Sequence, residues 1–103
     1  MARSRIEFRN ELQHVMGANK LYFQPPDGTT ITYPCCIYKL QNIEANYADD
    51  SIYRRFKCYS VTIIDSNPDS IYPDKILDSF DYARFDRFFT SENLNHYVFT
   101  IYY

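Results

Sequence analysis

The stretch Tyr97-Val98-Phe99-Thr100-Ile101-Tyr102-Tyr103 limits the possible folds more than any other part of the chain. A strand sends successive side chains to opposite faces. Tyr97, Phe99, Ile101 and Tyr103 then share one face, and Val98, Thr100 and Tyr102 share the other. Both faces are apolar enough to call for cover on both sides. Tyrosine is common throughout, at 11 of 103 residues. Its apolar ring and polar tip suit surfaces that are half buried or covered by a partner. Either the chain's own sheet covers the last strand or another chain does. Tyr102 and Tyr103 are therefore candidate interface residues.

The rest of the chain supplies elements to pack against that strand. Ser4 and Glu7 have capping-box spacing, which satisfies two free backbone donors at a helix start. Phe8, Leu12, Val15 and Met16 follow as one apolar stripe, and Gly17 provides a stop, so a helix is expected over 5–16. Leu21–Gln24 reads as a short strand ended by Pro25-Pro26-Asp27-Gly28. Strands are expected over about 32–44 and 53–65, joined by a polar hairpin carrying Asp49 and Asp50. In the second of these, Tyr59, Val61 and Ile63 alternate with Cys58, Ser60 and Thr62, and the first set is the core side. Pro73 opens a short helix to about Ser79. Strands over 82–90 and 97–103 close the chain, with 91–96 as the loop between them. The expectation is a single α+β domain: one antiparallel sheet of about five strands, with an N-terminal helix and a short second helix packed on one face.

Charge and composition exclude several function classes. The net charge is -2, without the basic face of a general nucleic-acid binder. No apolar run approaches the ~20 residues of a membrane helix, so no membrane partner is expected. The start Met-Ala-Arg-Ser-Arg leads into charged residues and not into a signal-peptide core, which fits assembly in a cytoplasm. Gly17 and Gly28 are too few for a phosphate-cradling loop. No cofactor is expected.

Candidate chemistry is sparse. Cys35, Cys36 and Cys58 form no disulfide framework and read as reduced, buried thiols. Cys35 and Cys36 are adjacent in a strand and point to opposite faces. A metal or catalytic site would need scattered residues such as Cys35, Cys58 and His96, and zinc prefers clustered ligands. His14 reads as a surface helix residue and His96 as a turn residue. Asp65-Ser66-Asn67-Pro68-Asp69 lacks the glycine and glutamate of a calcium loop. No catalytic or metal-binding residue is assigned, and the chain reads as no enzyme. The charged clusters remain. Arg84 and Asp86 should share one strand face, Phe85 and Arg87 the other. An arginine on a sheet can pair with a carboxylate of its own chain or of a neighbour. Arg54 and Arg55 lie beside the acidic hairpin, so one chain's basic strand could meet the next chain's Asp49 and Asp50. Such head-to-tail packing closes into rings.

In this order the motifs resemble a known family. Leu21-Tyr22-Phe23-Gln24-Pro25-Pro26, Tyr33-Pro34-Cys35-Cys36-Ile37-Tyr38, Tyr59-Ser60-Val61-Thr62-Ile63-Ile64-Asp65, Pro68-Asp69-Ser70, Arg84-Phe85-Asp86-Arg87, Leu94-Asn95-His96 and Phe99-Thr100-Ile101-Tyr102-Tyr103 carry the likeness. The chain resembles the tail terminator (tail completion, head–tail joining) proteins of tailed bacteriophages. Cys35-Cys36 departs from the single small residue expected after the proline. The resemblance implies a structural virion protein, a homo-hexameric ring that caps the tail tube and joins it to the head connector. DNA would pass through its lumen without specific binding. A head-side connector or neck adaptor is the alternative within the same class, and a small metal-binding or enzymatic domain the alternative outside it.

Overall fold

In the computed structural model the elements follow in the order α1 (Arg5–Met16), β1 (Lys20–Phe23), β2 (Cys35–Ala48), β3 (Ser51–Asp65), α2 (Tyr72–Ser79), β4 (Ala83–Ser91) and β5 (Leu94–Tyr102). The structure describes residues 4–17, 19–48 and 51–103, the side chains of 44–48 and 51–56 excepted. The α+β reading holds, with five strands in one sheet and two helices among the described residues.

Helix α1 begins as its sequence dictates. The Ser4 hydroxyl accepts from the Glu7 N–H and the Glu7 carboxylate accepts from the Ser4 N–H, both at 3.1 Å. Its stripe of Phe8, Leu12, Val15 and Met16 is buried. Helix α2 adds Ile76 and Phe80 to the same core, while Leu77 stays exposed. Pro73 sits in its first turn, where the missing N–H costs no helix bond.

The sheet runs in the order β1-β2-β3-β5-β4. One feature departs from an all-antiparallel sheet: β1 pairs parallel with β2, Leu21 opposite Cys36 and Phe23 opposite Tyr38. The eleven residues 24–34 between them are long enough to return the chain to the same end of the sheet, as a parallel pair requires. A second departure concerns the last hairpin. The turn is only Glu92-Asn93, both at positive φ (53° and 64°), the conformation of a tight type I′ loop. Leu94, Asn95 and His96 therefore belong to β5, and His96 is a strand residue.

Register sorts the side chains into two faces. Three rows cross the helix-covered face: Cys36–Ile63–Tyr97–Phe88, Tyr38–Val61–Phe99–Phe85 and Leu40–Tyr59–Ile101–Ala83. Their middles form the core with α1 and α2, and Tyr59, Val61 and Ile63 lie on that side as expected. Three rows cross the helix-free face: Cys35–Ile64–His96–Phe89, Ile37–Thr62–Val98–Arg87 and Lys39–Ser60–Thr100–Arg84. Cys35 and Cys36 thus face opposite ways, with only Cys36 in the main core.

Tyr103 ends up in that core. Its ring lies 5.0 Å from Phe8 and 6.2 Å from Phe80, its hydroxyl donates to Glu11 Oε1 at 2.9 Å, and it is 8 % exposed. Its backbone exchanges both hydrogen bonds with Lys57. The chain's own helix and strand cover it, which leaves little of its ring for a partner and corrects its reading as an interface residue. Cover on both faces of β5 is likewise not provided by the helices, which occupy one side only.

Candidate assembly surfaces

Among the described residues three regions are candidates for assembly contacts. The first is the end of the β2–β3 hairpin. Strand β1 reaches only Tyr38, and β5 with the following Tyr103 reaches only Lys57. From Glu44 opposite Phe56 to Ala48 opposite Ser51 the two strands pair, among the described residues, with each other alone. About five residues per strand at ~3.3 Å each make an arm of roughly 17 Å. The arm carries the backbone of Arg54 and Arg55. Their side chains, and Asp49 and Asp50 altogether, lie outside the described residues, so the expected basic-to-acidic contact has no side-chain description here. At the arm's base, Leu40 and Ile43 are exposed on the helix-side face.

The second surface is the helix-free face beside β4. Strand β4 has a bulge between Phe85 and Arg87: Phe85 opposes Phe99, Arg87 opposes Val98, and Asp86 is the extra residue. An extra residue breaks the alternation. Arg84, Asp86 and Arg87 consequently all lie on the helix-free face, and Arg87 does not share the Phe85 face as the plain alternation suggested. Arg84 Nε donates to Asp86 Oδ1 at 2.8 Å, and the Thr100 hydroxyl donates to Asp86 Oδ2. Burial alone would raise the Asp86 pKa. The hydrogen bonds from Thr100 and Arg84, with the charges of Arg84 and Arg87, outweigh it and hold the carboxyl below its ordinary range. A carboxylate held anionic in this way is a poor general base near neutral pH. It is a good anchor for arginines.

Beside this pair a stack runs along β4 and β5. The Arg87 guanidinium sits 5.3 Å from the Phe89 ring centroid, and Phe89 stacks on His96 at 4.5 Å and 14° between planes. His96 Nδ1 lies 3.2 Å from the Leu94 carbonyl. Lys39, Gln41 and Ser60 complete a shallow polar hollow with Asp86, Arg87 and Val98. Arg84 and Arg87 thus lie on one face and not on two. Tyr102 is on the same side of the sheet, half-buried, its N–H donating to the Tyr82 carbonyl.

The third surface is β4 itself, an edge strand whose residues are exposed from Arg84 onward. Phe85 and Phe88 emerge on the helix side, 45 % and 50 % exposed, and Phe89 on the other. Helix cover stops short of their rings. Sequence reading missed these phenylalanines as surface residues. Apolar alternation alone cannot tell an edge strand from a central one.

Chemistry elsewhere is muted. None of the three cysteines forms a disulfide, and all three are buried. Burial, with a smaller push from Asp65, raises Cys35 to about 11, and burial raises Cys36 as well. Neither thiol ionises readily near neutral pH, as a nucleophile or metal ligand must. Cys35 stands opposite Ile64, six residues along β3 from Cys58, about 20 Å of strand. Cys35, Cys58 and His96 are therefore not gathered around one point, and the described residues contain no group of three metal-ligating side chains. Asp65 and Asn67 accept from backbone N–H groups two residues on, which shapes the turn before α2. His14 is exposed on α1. No described helix is long and apolar enough to cross a membrane.

No protein-family model matches the chain, and no curated protein matches it in sequence.

Proposed function

We propose that the chain is a structural virion protein of the head–tail junction, a tail terminator whose copies close into a ring between tail tube and head connector. The observation that carries this reading is the β2–β3 arm, whose described backbone beyond Ile43 and Lys57 pairs with no other strand of its own chain. A two-stranded ribbon is marginally stable in water by itself. The exposed Leu40 and Ile43 at its base add apolar area that a neighbour would cover. An arm from one copy lying on the next gives a head-to-tail contact, and repetition of that contact closes a ring. The motif order from Leu21 to Tyr103 supports the same reading through its likeness to the tail terminator proteins. The net charge of -2 suits a conduit through which DNA passes without being held.

The test is a reconstruction of the particle in which this chain is made. Six copies in a ring at the head-proximal end of the tail tube support the proposal. A ring on the head side of the junction replaces it with the neck-adaptor reading, and absence from the particle ends both.

A further inference from the structure

The edge strand β4 has a hidden symmetry. The bulge sets its side chains in the order helix-free, helix, helix-free, helix-free, helix, helix-free for Arg84, Phe85, Asp86, Arg87, Phe88 and Phe89. That order reads the same in both directions about the Asp86–Arg87 bond. We propose that β4 pairs antiparallel with β4 of a second copy of this chain, about a two-fold axis at that bond, to join two five-stranded sheets into one.

Residues opposite each other across two antiparallel strands must lie on the same face. In this register Asp86 meets the partner copy's arginine at position 87, Phe85 meets phenylalanine 88, and Arg84 meets phenylalanine 89. Every pair joins like faces, and each contact occurs twice, as a two-fold interface demands. The central pairs are opposite charges on the helix-free face. The flanking pairs are exposed rings on the helix face, where Phe85 and Phe88 already lean on Phe99 and Tyr97 at 5.4 and 5.1 Å. The flanking arginine–phenylalanine pair is a cation–π arrangement of the kind Arg87 and Phe89 make within one chain.

The neighbouring registers fail. A shift by one residue places Arg87 against its own copy or Asp86 against its own copy. It also sets helix-face residues against helix-free ones. Charged residues and bulges usually guard an edge against any pairing. Here the same guards favour the register centred on the Asp86–Arg87 bond over the two beside it. The pairing concerns the free chain and stands apart from the head-to-tail contact of the junction reading.

Sedimentation equilibrium of the full chain gives the test. The unmodified protein is expected to approach twice the 12.3 kDa chain mass as concentration rises. Arg87→Glu and Asp86→Arg are each expected to stay monomeric, with at least tenfold weaker self-association. Mixed together, they restore both charge pairs and should form a heterodimer. Phe85→Lys with Phe88→Glu provides a second such couple if Asp86→Arg proves unfolded by circular dichroism. A monomeric unmodified protein, an Arg87→Glu variant that dimerises like it, or folded couples that fail to associate when mixed would each overturn the proposal.

Discussion

Phe8 lies flat on Tyr59, with ring centroids 4.1 Å apart and planes 14° from parallel. This contact fastens α1 to the middle of the sheet. Phe8 also touches Tyr38, Phe80 and Tyr103, so the first helix, the hairpin, α2 and the last residue meet at one ring. Phe8→Ala leaves a cavity at that point and is expected to cost about 3–5 kcal/mol. Urea unfolding followed by circular dichroism measures it. A loss below 1 kcal/mol would mean that the helix docks by other residues.

Tyr103 completes the same cluster and has a polar tie. Tyr103→Phe removes the hydroxyl that donates to Glu11 while it keeps the ring. The expected loss is about 1 kcal/mol. Removal of the whole segment 97–103 takes away the strand that joins β3 to β4 and should abolish folding. A soluble truncated chain with native circular dichroism would show the last strand to be peripheral.

Asp86 ties stability to acid. Its pKa is lower in the folded chain than in the unfolded one, so its contribution is present above the unfolded value of 3.8 and is lost as pH falls through the lower folded value. Thr100→Val removes the hydroxyl that donates to Asp86 and should raise its pKa. Carboxyl titration by NMR checks this, with a higher midpoint expected in the variant. An unchanged midpoint would show that the Arg84 and Arg87 charges alone set it.

The cysteines make a third test of the core. Buried thiols react slowly. A soluble thiol reagent at neutral pH should label none of Cys35, Cys36 and Cys58 quickly in the folded chain and all of them in urea. Rapid labelling of Cys58 in native buffer would show that the base of the arm opens easily.

The residues that sequence placed well are those governed by local rules. The capping box of Ser4 and Glu7 and the stripe from Phe8 to Met16 fix α1 within the chain itself. The alternation from Tyr59 to Ile63 fixes which face of β3 is buried. The misplacements share a different cause. Parallel pairing of Leu21 with Cys36 depends on where an eleven-residue connection leads, which no local pattern records. The Glu92-Asn93 turn lacks the glycine that marks most type I′ loops, so β5 begins earlier than its apolar run suggests. The bulge at Asp86 has no signature in Arg84-Phe85-Asp86-Arg87, and it decides where Arg87 points. Of the candidate surfaces, the charges were legible and their facing was not.

The measurement that bears most directly on the central claim is a near-atomic reconstruction of the intact particle with this chain placed in it. Six copies in a closed ring are expected at the head-proximal end of the tail tube, each arm beyond Ile43 and Lys57 resting on the next copy. The chain missing from the particle, or present with its arm in contact with no other subunit, would contradict it.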